Sequence, residues 1–84
     1  MRPYEVFVNE QALGNAPRSG APLQAILKFI RALADAPNTI GDFSEVDGAG
    51  RVVQVKVIGR HAITYWPDHA VCEVKITHIR PADR

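Results

Sequence analysis

The chain has one cysteine, Cys72, in 84 residues, which excludes an internal disulfide framework. It also has almost no charge excess: ten basic and nine acidic residues leave +1 with histidines neutral. That balance excludes the strongly basic composition of a protein that coats nucleic acid, so any such contact must come from a local patch. No apolar run approaches the roughly 20 residues needed to cross a bilayer. Met1-Arg-Pro-Tyr-Glu5 lacks the apolar core of a secretory signal. The expectation is a cytoplasmic protein with no membrane partner. Metal ligands are also missing in any paired spacing. His69 and Cys72, even with His61 and His78 nearby, do not make a zinc motif. Gly48-Ala-Gly50 has no helix after it and so cannot cradle a phosphate. No cofactor is expected.

What is present is alternation. The runs from Arg51 to Gly59, His61 to Trp66 and Val71 to Arg80 alternate apolar and polar residues and are rich in Val, Ile and Thr. This is the pattern of half-buried strands, and the gaps between the runs suit only hairpins. The C-terminal half is therefore read as an antiparallel meander. Gly41 to Asp47 adds a short strand that enters a turn at Asp47-Gly-Ala-Gly50.

In the N-terminal half, Tyr4 to Val8 reads as a strand joining that sheet, with Val6 and Val8 on one side. Asn9 caps a brief helical turn over Glu10-Gln-Ala-Leu13, and Gly14 stops it. A loop leads to Pro22. Leu23, Ile26, Leu27, Ile30, Leu33 and Ala34 then recur at helical spacing until the helix ends before Pro37. Its outer face carries Gln24, Lys28, Arg31 and Asp35. The fold class is α+β: an N-terminal strand and helix, or helical hairpin, packed on a mostly antiparallel sheet. At this length there is one domain, burying roughly 60 to 65% of its unfolded surface.

Three stretches, Gly41-Asp-Phe43, Gly59-Arg-His-Ala-Ile-Thr-Tyr-Trp66 and Glu73-Val-Lys-Ile-Thr-His-Ile-Arg80, together resemble the RelE/ParE family of type II toxin-antitoxin toxins. The order of elements extends the resemblance over nearly the whole chain, as a single toxin domain. It implies a cognate antitoxin as partner and one of two activities. RelE-like members are metal-independent endoribonucleases that cut messenger RNA in the ribosomal A site. ParE-like members bind DNA gyrase and hydrolyse nothing. A third possibility is a member that retains only antitoxin binding.

The ribonuclease chemistry needs a base for the ribose 2′-hydroxyl, cations for the crowded phosphate and an acid for the departing 5′-oxygen. The resemblance assigns Arg80 as charge stabiliser at the end of the last strand and Lys56 as a cation on the strand before the middle one. Either Arg60 or His61 takes the strand-start position. Tyr65 and His78 are the remaining acid or base groups. Relatives tend to carry two alternating basic residues where this chain has Gln54 and Lys56, so one cation is missing. Parity puts Gln54 and Lys56 opposite Val53, Val55 and Val57, and puts His78 with Val74 and Ile76, which also suits a core-edge histidine. Lys56 equally suits a solvated strand position, and Tyr65 and Trp66 suit packing. Asp42 and Asp47 flank turn glycines, and with Glu45 they read as turn and rim residues.

Overall fold

A computed structural model of the chain describes residues 3–82. The elements run β1 Glu5–Val8, α1 Glu10–Gly14, α2 Gly20–Asp35, β2 Phe43–Val46, β3 Val52–Ile58, β4 His61–Asp68 and β5 Glu73–Pro81. They form an α+β domain with one five-stranded mixed sheet in the order β1-β5-β4-β3-β2. β1 and β2 are the two edges, so α1 and α2 carry the chain from one side of the sheet to the other. The meander β2 to β5 then returns by hairpins until β5 pairs with β1, in parallel, matching Val6 with Val74 and Val8 with Ile76.

Local chemistry accounts for these elements. Asn9 accepts a hydrogen bond from the Gln11 amide at 2.8 Å, which starts α1. α2 sets Ile26 and Leu33 inward, each 1 % exposed, against Ile63, Tyr65, Val74, Ile76 and Ile79 of the sheet. Phe29 meets the Tyr65 ring edge to face with centroids 5.4 Å apart. The helix ends at Asp35, where Ala36 caps it ahead of Pro37. No helix among the described residues is long and apolar enough to cross a membrane.

One irregularity reorders the last strand. On β5, Thr64 of β4 pairs with His78 while Tyr65 pairs with Ile76, so Thr77 is an extra, unpaired residue: a β-bulge. The bulge resets the alternation. Ile76 and Ile79 both reach the core, and His78 turns away from it. The expected shared parity of His78 with Val74 and Ile76 is thereby overturned, because period 2 holds only on an unbroken ladder.

The edge strand β2 is seated by Gly41. The Asp42 amide donates to the Val55 carbonyl at 2.8 Å, and the Gly41 amide donates to the Gln54 side chain at 3.0 Å. A β-carbon at Gly41 would stand 2.8 Å from the Val55 carbonyl carbon, inside contact distance. Gly41→Ala is expected to push β2 off β3 and cost about 1 to 3 kcal/mol, as overpacking does. Urea unfolding measures this; an unchanged midpoint would show that the strand end yields without strain.

Candidate functional site

Residues paired across a sheet point to the same side. The helices cover the side carrying Ile63, Tyr65, Val74 and Ile76. The register therefore assigns the opposite, helix-free side to Phe43 and Glu45 of β2, Val53, Val55 and Val57 of β3, Ala62 and Thr64 of β4, and His78 and Arg80 of β5. On this open side Val53, Val55 and Thr64 are nevertheless only 2 %, 0 % and 4 % exposed. An ion pair joins the two strands that flank this side. The Arg80 guanidinium reaches Glu45 at 3.3 and 3.4 Å to its two carboxylate oxygens. β5 and β2 would be about 14 Å apart in a flat sheet, three strand spacings. The sheet must curl for the pair to meet, and the pair spans the strands between.

The concavity is a cavity of about 360 Å³ lined by Glu45, Asp47, Arg51, Thr64, His78 and Arg80 among others. Its cations are held in place. Asp47 Oδ1 accepts from the Ala49 and Arg51 amides, both at 2.9 Å, and Oδ2 pairs with Arg51 Nε at 3.0 Å. The Arg51 backbone donor, helped by its guanidinium, holds the Asp47 carboxyl below its ordinary pKa. Arg51 then lies flat against Trp66, its guanidinium carbon 3.9 Å from the ring centroid. Beyond Trp66, Lys75 is engaged by Asp68 at 3.2 Å and Glu73 at 3.8 Å.

The bulge also orients the histidine. The Thr77 hydroxyl lies 3.5 Å from the Thr64 carbonyl oxygen, to which it donates, and 3.1 Å from His78 Nδ1. With Nδ1 engaged by Thr77, Nε2 is left as the ring nitrogen to meet a ligand.

No family model, no curated protein and no solved structure matches this chain. Its chemistry has to be read from the site itself.

The six residues expected to share one surface occupy three places. Arg80 and His78 meet in the open cavity. Lys56 and Tyr65 lie on the helix side, since Lys56 pairs with Ile63 and Gln54 with Tyr65. Lys56 Nζ is 3.5 Å from Asp42, whose other oxygen accepts from the Val57 amide at 2.7 Å. That amide, with Lys56 adding to it, lowers the Asp42 pKa. Tyr65 is 0 % exposed and donates its hydroxyl to the Thr39 carbonyl at 3.0 Å. Burial, then the Asp42 charge, raises its pKa. It is a core tyrosine with its proton already committed. Arg60 and His61 sit beside Ala21 and Pro22 at the start of α2, around a separate apolar cavity of about 390 Å³. Arg60 and Arg80 share one end of the sheet, where the Ala82 amide donates to the Arg60 carbonyl at 2.9 Å. Their side chains line different cavities, so Arg60 and Arg80 do not act on one site. The His69 ring bonds the Tyr4 hydroxyl at 2.6 Å. Among the described residues no three His, Cys, Asp or Glu side chains converge as metal ligands.

Two cavity residues escaped the sequence reading, Arg51 and Thr64, and Glu45 was taken for a rim residue. Thr64 and Glu45 meet partners 13 and 35 residues away, which only the sheet order brings together, while Arg51 is held by Asp47 four residues before it. Thr64 carries a further sign. Its Oγ1 is buried and has no hydrogen-bond partner, and the same holds for Trp66 Nε1. A buried orphan of this kind costs about 1 to 3 kcal/mol.

Two outcomes are expected. Thr64→Val keeps nearly the same shape and removes the orphan, so it should stabilise the fold by about 1 kcal/mol, or about 4 to 8 °C in Tm at this size. A lower Tm by circular dichroism would show that the hydroxyl is already satisfied. Asp47, with its folded pKa depressed, contributes stability that is complete above the ordinary carboxylate value. That contribution is lost as pH falls through the folded value. Asp47→Asn should therefore flatten the loss of stability below about pH 4. Urea midpoints from neutral pH to pH 2 test this, and parallel curves would refute it.

Proposed function

We propose that this chain is a toxin of the RelE/ParE type that cuts messenger RNA without a metal, and that its working surface is the open side of the sheet. The observation that carries the reading is the meeting of Glu45, His78 and Arg80 in one uncovered cavity. Those three supply what ribose-assisted cleavage needs. Glu45 takes the proton of the 2′-hydroxyl. The 2′-oxygen attacks phosphorus, the bond from phosphorus to the 5′-oxygen breaks, and a 2′,3′-cyclic phosphate forms. His78, as imidazolium, passes a proton from Nε2 to the departing 5′-oxygen. Arg80 donates to the phosphoryl oxygens as their charge concentrates. The incoming phosphate competes with Glu45 for Arg80 and frees the carboxylate for its role as base. Element order, a short helix and a longer one between the first strand and a four-strand meander, further supports the family reading. A cognate antitoxin would then have to cover this side of the sheet.

Docking to a protein, as ParE-like members dock to DNA gyrase, is favoured by a different observation. Phe43 and Val57, 48 % and 39 % exposed, sit on the same open side beside the β2 edge.

Primer extension on message from translating ribosomes, in EDTA, separates the two. Wild type should cut at A-site codons. Arg80→Ala should lose about 10²- to 10³-fold, the cost of one transition-state donor, and Glu45→Gln about 10²- to 10⁴-fold. Lys56→Ala should cut within a few-fold of wild type. Full cutting by folded Arg80→Ala, or its loss in Lys56→Ala, would remove the open side as the site. Intact message with inhibited supercoiling would select gyrase binding.

A further inference from the structure

The cavity is lined by more than the proposed catalytic trio: besides Glu45, His78 and Arg80, its wall includes Asp47, Gly48 and Ala49 of the β2–β3 turn, Arg51 and Thr64. We infer that the part bounded by Arg51, over Trp66, and the Thr64 hydroxyl is a nucleobase subsite, and that the substrate is single-stranded RNA read at one unpaired base. The inference rests on the reading of this side as the RNA-cleaving surface.

Three features point the same way. Arg51 already has its charge answered by Asp47 at 3.0 Å and its inner face covered by Trp66 at 3.9 Å. What it offers to a ligand is its flat outer face, with the side chain 41 % exposed. Guanidinium planes backed by an aromatic ring are stacking surfaces for unpaired bases. Thr64 lines the same cavity at 4 % exposure, and its buried hydroxyl has no partner in the fold. A hydroxyl can donate to or accept from the polar edge of a base, and a small local shift of the cavity wall would let a base edge supply that partner. Volume supplies the third feature. About 360 Å³ is near the lower end of ligand pockets and holds about one nucleotide, not a duplex. A base inside a helix is stacked on both faces and has none to offer Arg51.

Trp66 is the only tryptophan in the chain, so its fluorescence reports this subsite alone. The probe is a set of four single-base 2′-deoxy tetranucleotides, which lack the hydroxyl needed for cleavage, titrated into the full chain. At least one should give a saturable change, with affinities differing by about threefold or more among the four bases. Arg51→Gln should weaken the preferred one about tenfold, the loss expected for a stacking surface. Thr64→Val should weaken it about fivefold and narrow the preference, in a protein whose melting curve proves it folded. Binding unchanged in both folded variants overturns the subsite, as does equal binding of a duplex. No saturable change while wild type still cuts message overturns the subsite and leaves the cleavage reading intact. A saturable change that depends on Arg51 and Thr64, without cutting, keeps the subsite and overturns the cleavage reading.

Discussion

One unpaired residue organises the open side of this sheet. Thr77 interrupts the β4–β5 ladder, and everything after it on β5 is turned to the opposite side from where period 2 would put it. Without that bulge Ile79 would face the open side and lie stranded in solvent, and Arg80 would point under the helices, where a guanidinium has no partner. With it, Ile76 and Ile79 both fill the core, and His78 and Arg80 stand on the concave side. The residue that makes the bulge also supplies the hydroxyl that orients His78. Backbone irregularity and side-chain chemistry are thus the same event in this sheet.

The concave side then solves an electrostatic problem. Three cations, Arg51, Lys75 and Arg80, each have a carboxylate within 3.3 Å, on Asp47, Asp68 and Glu45 respectively. Exposed pairs of this kind contribute little to stability. Their effect is positional. A long side chain that would otherwise sample many rotamers is held in one, so a ligand meets a preset surface and the ordering cost is met before binding. This arrangement agrees with the near-zero net charge. The chain can present guanidiniums at chosen points without a long-range positive field that would attract every polyanion.

Much of the fold was legible because its signals are local. The alternation of β3 and the opening of β4, the Asn9 cap, the apolar stripe of α2 and the stop before Pro37 each depend on residues within a turn or two of one another. The site was far less so. Arg80 and His78 carry recognisable chemistry, but the parity argument for His78 assumed an unbroken strand, and nothing in Lys75-Ile-Thr-His-Ile79 announces the extra residue. Lys56 and Tyr65 seemed suited to the site because composition does not say which side the helices cover. Valines at 53 and 55 look like a core face and are indeed buried, yet on the side that no helix covers. Glu45 and Arg51 read as ordinary rim charges until the strand order makes them neighbours of Arg80 and Trp66.

The same curvature that closes the Arg80–Glu45 pair bears on the edges. β2 leaves one side of its backbone unpaired, with Phe43 and Val46 exposed, and such an edge invites pairing with another chain. Here its flanks and middle carry Asp42, Glu45 and Asp47, each engaged inward with β3, its turn or β5. These carboxylates set negative charge along the edge, Asp42 on the helix side and Glu45 and Asp47 at the concavity, which opposes the approach of a second copy of the same edge. An anion that drew Arg80 away from Glu45 would release one of those restraints. The Arg80–Glu45 pair thus ties the wall of the cavity to the β2 edge.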